Sequence, residues 1–348
     1  MSTILGIEST CDETAASVVV DGFDVRSNAV ASQVELHAKY RGVVPEIASR
    51  AHIENILPVL REALASAGKA AENIDAVAVA HRPGLIGSLL IGVTAAKTLA
   101  WALGKPLIGV DHVHAHLYSV MLEKNAQPPM PAVGMVVSGG HTALYRVNSW
   151  LEVSLIGSTI DDAVGEAYDK VAAILGLGYP GGPVIDQLAA AGDPAAVRFP
   201  RTLLARDSLD FSFSGLKTAV LYHIRGVPTR GGPDVRKQAP ARPPPQGQEL
   251  ADVCASFQAA CIDVIVAKLK RAVPQTAAQS VIIGGGVSAN RGLRTALVDS
   301  GVPVFVPPLR YCTDNAAMSA GLADLYYREG RFSDLGLDAV TYSQFRDE

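Results

Sequence analysis

One order of segments occurs twice in this chain, and that repetition limits the fold more than any single motif does. In the first occurrence an apolar run, Thr3–Glu8, meets the polar turn Ser9-Thr-Cys-Asp-Glu-Thr14 and returns as Ala15–Val20. In the second, Ala132–Val137 meets Ser138-Gly-Gly-His-Thr142 and returns as Ala143–Val147. Each reads as a hairpin whose small residues let backbone N–H groups approach an anionic ligand. The later segments repeat as well. A strand Ala76–Ala80, the turn His81-Arg-Pro-Gly84, a long helix and a strand Leu107–Val110 lead to His112. A strand Ser280–Ile283, the turn Gly284-Gly-Gly286, a helix Ala289–Asp299 and a strand Val302–Val306 lead to Asp314. Pro303 falls at the start of that last strand, where proline is tolerated. The pattern predicts a duplicated α/β chain with its ligand site at the carboxyl ends of the strands.

His112-Val-His-Ala-His116 follows one of those strand ends and continues into helix-compatible sequence, Ala115–Leu122. Two histidines four apart share one face of a helix and can share one metal ion. Taken alone, the stretch fits a metal pair and a solvated histidine-rich helix start equally. Asp314 occupies the equivalent place in the second half. If the halves face each other across a cleft, the pair and the aspartate meet there. Two histidines and a carboxylate with open positions make a ferrous or zinc donor set.

With 348 residues and 49% hydrophobic content, the chain has enough apolar material for two sizeable cores. A formal net charge of −4 rules out a global basic footprint, so nucleic-acid contact would be local or come through a partner. Cys11, Cys254, Cys261 and Cys312 are scattered without a C-x-x-C pair, which argues for a reducing compartment and against a disulfide framework. Glu8, Asp12 and Glu13 stand where an export signal needs apolar residues. The apolar stretch Gly84–Leu103 is interrupted by Lys97 and turns straight into a strand, so it reads as a buried helix rather than a membrane span. A cytoplasmic location without membrane attachment is the expectation.

Thr159–Leu175 reads as a helix, with Thr159 and Asp162 as a capping box with a shorter acid and Gly176 as its stop. Asp162, Glu166 and Asp169 are spaced to form one acidic stripe. It is either a solvated face or a set of acceptors for ribose-like hydroxyls. Tyr179-Pro-Gly-Gly-Pro183 is a rigid turn open to close ligand approach, with Asp186 in the next helical turn. Asn290 opens a helix after three glycines and serves either as its cap or as a partner for a base or ribose. Residues 226–248 are proline-rich and basic; a solubilising surface loop and an RNA-phosphate contact both fit that composition.

At this level of detail the chain resembles the universal tRNA threonylcarbamoyladenosine synthases, a family formerly labelled O-sialoglycoprotein endopeptidase. The matching segments are Gly6-Ile-Glu-Ser-Thr-Cys-Asp-Glu-Thr14, Gly42-Val-Val-Pro-Glu-Ile-Ala-Ser-Arg50, His112-x-x-x-His116 and Val137-Ser-Gly-Gly-His-Thr142. They continue with Asp161-Asp-Ala-Val-Gly-Glu-Ala-Tyr-Asp-Lys170, Tyr179–Pro183, Asp210-Phe-Ser-Phe-Ser-Gly-Leu-Lys-Thr218, Gly285-Gly-Val-Ser-Ala-Asn-Arg291 and Cys312-Thr-Asp-Asn315. The resemblance implies a two-lobed actin-like, sugar-kinase-like and Hsp70-like fold with a ligand cleft between the lobes. The expected lobes are residues 1–130 and 131–314, with a C-terminal helix over 315–348 packing back on the first.

The same resemblance assigns His112, His116 and Asp314 to one divalent metal, Fe2+ by preference and Zn2+ otherwise. It assigns Val136, Val137, Ser138, Gly139, Gly140, Asp169, Gly182, Asp186 and Asn290 to threonylcarbamoyl-adenylate, with Asp12, Glu13 and His141 as secondary candidates. His114 is expected to point away from the metal. The implied partners are tRNA, a shorter paralogous subunit forming a heterodimer, and a small P-loop ATPase.

Two departures from the family pattern stand out. His81-Arg82 replaces a small residue and glycine before Pro83; the pair is read as lying on the cleft rim, with an RNA-phosphate contact as the alternative. The insertion at 226–248 is longer than the usual connection. Among rival readings, a metallopeptidase needs a glutamate base in H-E-x-x-H, and Val113 fills that place. A sugar or acetate kinase has no need of a histidine pair, and a degraded nucleotide-binding scaffold would have lost part of the motif set.

Overall fold

The computed structural model describes residues 1–123, 127–204, 207–226, 245–299 and 301–345. The first half runs β1 (Thr3–Glu8), β2 (Glu13–Val20), β3 (Asp24–Ser32), α1 (Val34–Ala38), α2 (Pro45–Ser66), β4 (Ala76–Arg82), α3 (Ile86–Leu103), β5 (Leu107–Asp111) and α4 (His112–Tyr118). The second runs β6 (Ala132–Val137), β7 (Thr142–Ser149), β8 (Glu152–Ser158), α5 (Val164–Ile174), α6 (Gly181–Ala189), α7 (Ser214–Arg225), α8 (Gly247–Thr276), β9 (Ser280–Gly284), α9 (Arg291–Ala296) and β10 (Val304–Phe305). Helix α10 (Ala316–Arg328) follows.

The two sheets have one topology. Their strand orders are β3-β2-β1-β4-β5 and β8-β7-β6-β9-β10. In each, the middle strand pairs antiparallel with the next strand in sequence and parallel with the strand that follows the helices. The duplication inferred from segment order is therefore present as a repeated α/β sheet.

Burial alternates with period two, as expected for strands covered on both faces. On β4, Val77 and Val79 join a core with α2 and α3, whereas Ala76, Ala78 and Ala80 face a second core with α4 and α10. That second core also contains Ala132, Val136, Tyr145 and Ile282 of the other sheet. Helix α4 is thus enclosed between the two halves, and all seven of its residues are buried. A Cβ at Gly6 would lie 2.5 Å from the Ala316 carbonyl oxygen, so α10 can seat on β1 only because residue 6 has no side chain.

Several boundaries differ from the sequence reading. The helix expected from Thr159 begins at Val164, because Thr159 is drawn into a bridge with Phe211 and its hydroxyl donates to the Asp162 carbonyl. The helix expected over Ala289–Asp299 breaks into two short 3-10 turns around α9, and the strand expected over Val302–Val306 shrinks to β10. The C-terminal helix stops at Arg328, with Gly330 in the left-handed region at φ 67. Beyond it the chain runs back along the first sheet, where Ser333 bridges Leu107.

His81 and Arg82 extend β4 and engage that C-terminal segment. His81 Nδ1 lies 2.9 Å from the Asp338 carbonyl and Arg82 donates to Gln344 Oε1 at 2.8 Å, so both side chains are engaged by the C-terminal segment. Of the basic, proline-rich stretch, 227–244 lies outside the described residues; its last two residues, Gly247 and Gln248, already belong to α8.

Helices α3 and α8 are long and apolar enough to cross a membrane by length and composition. Here α8 is mostly buried against α6 and β6, whereas α3 packs one face on β4 and α2 and leaves Trp101 exposed.

Candidate metal centre and nucleotide cleft

Strand β5 ends at Asp111, whose carboxylate accepts the N–H groups of Val113 at 2.9 Å and His114 at 3.2 Å. This cap starts α4 at His112 and fixes its rotation. The rings of His112 and His116 then meet edge to face, 4.6 Å apart at 76°. Asp314 comes from the loop before α10, which Asn315 caps by accepting Met318 N–H at 3.1 Å. Asp314 Oδ1 lies 3.1 Å from His116 Nε2 and 3.5 Å from His112 Nε2. Ligand atoms about 2.0–2.2 Å from a shared ion sit roughly 3–3.6 Å from one another. Both Asp314 distances are of that size, and the three ligand atoms lie within 4.8 Å of one another, a grouping that could hold one cation. His114 faces the other way, its Nδ1 3.2 Å from the Tyr326 hydroxyl and its ring against Phe345.

A fourth residue, absent from the sequence-derived set, completes the arrangement. Glu8 ends β1 fully buried, with Oε2 3.1 Å from His112 Nδ1 and Oε1 accepting Thr10 N–H at 2.9 Å. A carboxylate behind a histidine selects the tautomer that leaves Nε2 free for a metal. Its signal was in plain view: Glu8 lies inside the Gly6–Thr14 segment, one residue before the turn.

The electrostatics match that geometry. Burial disfavours the His112 imidazolium, but Glu8 and Asp314 outweigh it and raise its pKa to about 9. Burial and the neighbouring His112 lower that of His116. Burial alone would raise Asp314, yet His112 and His116 hold it well below the usual carboxylate range. Two carboxylates facing two buried imidazoles make the pocket favour a positive charge, which a cation at the Nε2 atoms would supply.

Both hairpin turns border this centre. From the first, burial and the carboxylates of Asp12 and Asp314 push Glu13 upward. From the second, burial and His112 depress His141 to about 4. Ser138 closes the second turn by accepting His141 N–H at 3.0 Å, and Gly139 and Gly140 stand exposed beyond the buried Val136 and Val137. A Cβ at Gly139, Gly140 or Gly182 would meet nothing within 4 Å. Their φ angles lie outside the left-handed region, so neither packing nor backbone conformation calls for glycine there. A ligand that comes close to the backbone would.

The acidic stripe does not survive as one. Asp162 precedes α5 and, with Glu166, holds Lys170, while Asp169 alone turns to the cleft. Its Oδ1 accepts Gly181 N–H at 2.7 Å; burial, and more weakly Asp12 across the cleft, raise its pKa. Asp186 pairs with Arg291 Nε at 2.8 Å. Asn290 caps α9 by accepting Leu293 N–H at 2.8 Å and spends its amide N–H on Gln258 Oε1 at 2.7 Å. Gln258 also donates to Asp186 at 3.2 Å, so one buried glutamine of α8 links two of the sequence candidates. The only trace of Gln258 in the sequence was a polar residue on an otherwise apolar helix face.

Comparisons with known proteins identify the family. A family model described as tRNA N6-adenosine threonylcarbamoyltransferase matches residues 24–321. A protein of that name from Moorella thermoacetica is 51% identical over 350 residues, covering 97% of this chain and 96% of its own. One from Trichlorobacter lovleyi is 50% identical over 341 residues, covering 97% and 95%. Among solved structures, HypF of T. kodakarensis superposes with a TM-score of 0.61 at 16% identity, covering 97% of this chain and 49% of that one, and bears on the fold alone.

Proposed function

This chain belongs to the tRNA N6-adenosine threonylcarbamoyltransferase family, and from that membership we propose the following reaction. Threonylcarbamoyl passes from threonylcarbamoyl-adenylate to the exocyclic amine of the adenosine at position 37 of tRNAs reading codons that begin with A, and AMP is released. The amine nitrogen bonds to the carbamoyl carbon as that carbon's bond to the phosphate oxygen breaks. The electron pair leaves with AMP and the amine proton goes to solvent. The observation that carries the reading is the grouping of His112, His116 and Asp314 beside the second hairpin turn, whose His141 lies within electrostatic reach of all three.

The donor set of two Nε2 atoms and a carboxylate fits one divalent ion, Fe2+ by preference and Zn2+ otherwise. His112, His116 and Asp314 would hold it, and when bound it supplies Lewis-acid polarisation of the acyl donor. Glu8 orients His112. The backbone N–H groups of Gly139 and Gly140 are free to bind the phosphate as charge develops on the departing AMP. Asp169 offers its second carboxylate oxygen to a ribose hydroxyl, with Gly182 leaving room beside it. Asp186 and Asn290, braced through Gln258, shape the base end. Asp12, Glu13 and His141 line the approach of the acceptor amine. That amine is a weak nucleophile, so activation of the donor outweighs base catalysis.

The reading carries with it a cytoplasmic location, a shorter paralogous subunit and a small P-loop ATPase as partners. To test it, the purified protein is incubated with synthetic threonylcarbamoyl-adenylate and unmodified tRNA, with and without those partners. Modified nucleoside and AMP are then measured by mass spectrometry and chromatography. Equimolar products support the proposal; no modified nucleoside even with the partners present refutes it.

A further inference from the structure

The segment between α1 and α2 carries features that the donor site does not use. Lys39, Tyr40 and Arg41 are consecutive and exposed, with Tyr40 at 50% accessibility. Lys39 Nζ stands 4.9 Å over the Tyr40 ring, a cation–π pair presented outward. Arg41 adopts φ 58, a left-handed conformation that is costly for a side chain with a Cβ and common where function demands a particular orientation. Neither cation belongs to an ion pair among the described residues.

The segment is held rigidly from below. Buried His37 accepts Val44 N–H on Nδ1 at 3.3 Å, and its Nε2–H donates to Gln33 Oε1 at 3.2 Å. Gln33 in turn donates its backbone N–H to the Asp12 carbonyl at 3.0 Å, which ties the segment to the first hairpin turn. Arg41 reaches across the cleft mouth to share a crevice with Asp169, Leu177 and Tyr179. That crevice holds about 10 Å³, room for a water, while the exposed faces of Lys39 and Tyr40 are turned to solvent.

We propose that Lys39, Tyr40 and Arg41 form a contact for single-stranded RNA at the cleft mouth. Tyr40 stacks an unpaired base, and Lys39 and Arg41 bind the phosphates flanking it. A preorganised aromatic between two unpaired cations is the chemistry that single-stranded nucleic acid selects. An acceptor adenosine in the cleft must bring its neighbouring nucleotides past this rim. The inference rests on the proposed transfer to tRNA and assigns that substrate a docking surface.

Three variants test it: Lys39→Gln, Tyr40→Ala and Arg41→Gly. The last removes the guanidinium while placing at φ 58 the residue that tolerates it best, so misfolding does not explain a loss. Binding of unmodified tRNA to the full-length chain is titrated directly, and transfer is assayed with the partner subunits present. Tyr40→Ala is expected to weaken tRNA binding by roughly 10-fold. The Lys39→Gln/Arg41→Gly double variant should lower the salt slope of log K by about 1.4, two single-strand phosphates at about 0.7 each. The KM for threonylcarbamoyl-adenylate should not move in Lys39→Gln or Tyr40→Ala. Unchanged tRNA affinity and salt slope would overturn the proposal. So would a change confined to the donor KM, or to assembly with a protein partner. Wild-type protein that binds tRNA through this surface yet transfers nothing would instead refute the proposed reaction.

Discussion

The carboxylate of Glu8 lies 3.1 Å from Nδ1 of His112, so the last residue of β1 sets the tautomer of the first residue of α4. Glu8→Gln keeps the size and removes the charge. Loss of an orienting partner of this kind costs about 10–100-fold in metal affinity. We expect that loss in a competitive chelator titration, with the far-UV spectrum and melting temperature little changed. Wild-type affinity in the variant would show that Glu8 plays no part in the centre.

His112→Ala and Asp314→Ala each remove one of the three proposed ligands. Bound metal, read by plasma mass spectrometry, and transferase activity should fall together in both. Full metal content in either variant would refute a shared site.

Gly284 sits against α4: a Cβ there would lie 2.2 Å from the His116 carbonyl oxygen. Gly284→Ala must push the helix carrying both histidines away from the second sheet. Overpacking of this kind costs about 1–3 kcal/mol of stability. The same displacement should weaken metal binding, so denaturant melts and chelator titrations should move together. Reduced stability with unaltered metal affinity would show that the helix yields without disturbing the ligands.

His52 lies under the first hairpin turn, its Nε2–H donating to the Cys11 carbonyl at 3.1 Å and Nδ1 accepting the Thr14 hydroxyl at 2.8 Å. Burial lowers its pKa, only partly offset by the Cys11 carbonyl. Between the folded value and the unfolded one of about 6.5, the unfolded chain binds the extra proton. The stability contributed by neutral His52 is therefore complete above about pH 6.5 and is lost as pH falls toward the folded value. His52→Gln keeps a donor and an acceptor without titrating. Its melting temperature should drop less than that of wild type between about pH 7.5 and about pH 5. Equal drops would exclude His52 as the acid-sensitive group.

Asn290→Ala removes the α9 cap, a change of about 1 kcal/mol, and leaves Gln258 Oε1 only the longer bond from the Tyr168 hydroxyl at 3.4 Å. Asn290→Asp keeps the cap alone. If the Gln258 link shapes the proposed nucleotide site, both variants raise the donor KM, including the aspartate that keeps the cap. A donor KM unchanged in Asn290→Asp would confine Asn290 to capping.

Local patterns carried much of this protein. The duplicated order of strands, turns and helices was legible because strand alternation and turn residues are properties of neighbouring positions. So was the shared face of His112 and His116, which helical periodicity alone dictates. Where the sequence misled, a distant partner won. Thr159 is held out of α5 by Phe211. Distant contacts also engage His81 and Arg82, through a C-terminal segment that returns along β5. The equivalence of the two halves pointed to Asp314 as a ligand. Its approach to His116, 198 residues away in sequence, exists only because α4 and α10 fill one layer between two sheets. The same packing carries Glu8 behind His112 and Gln258 between Asp186 and Asn290. Periodicity determines which residues share a face; only the closure of the two sheets on a common core decides which faces meet.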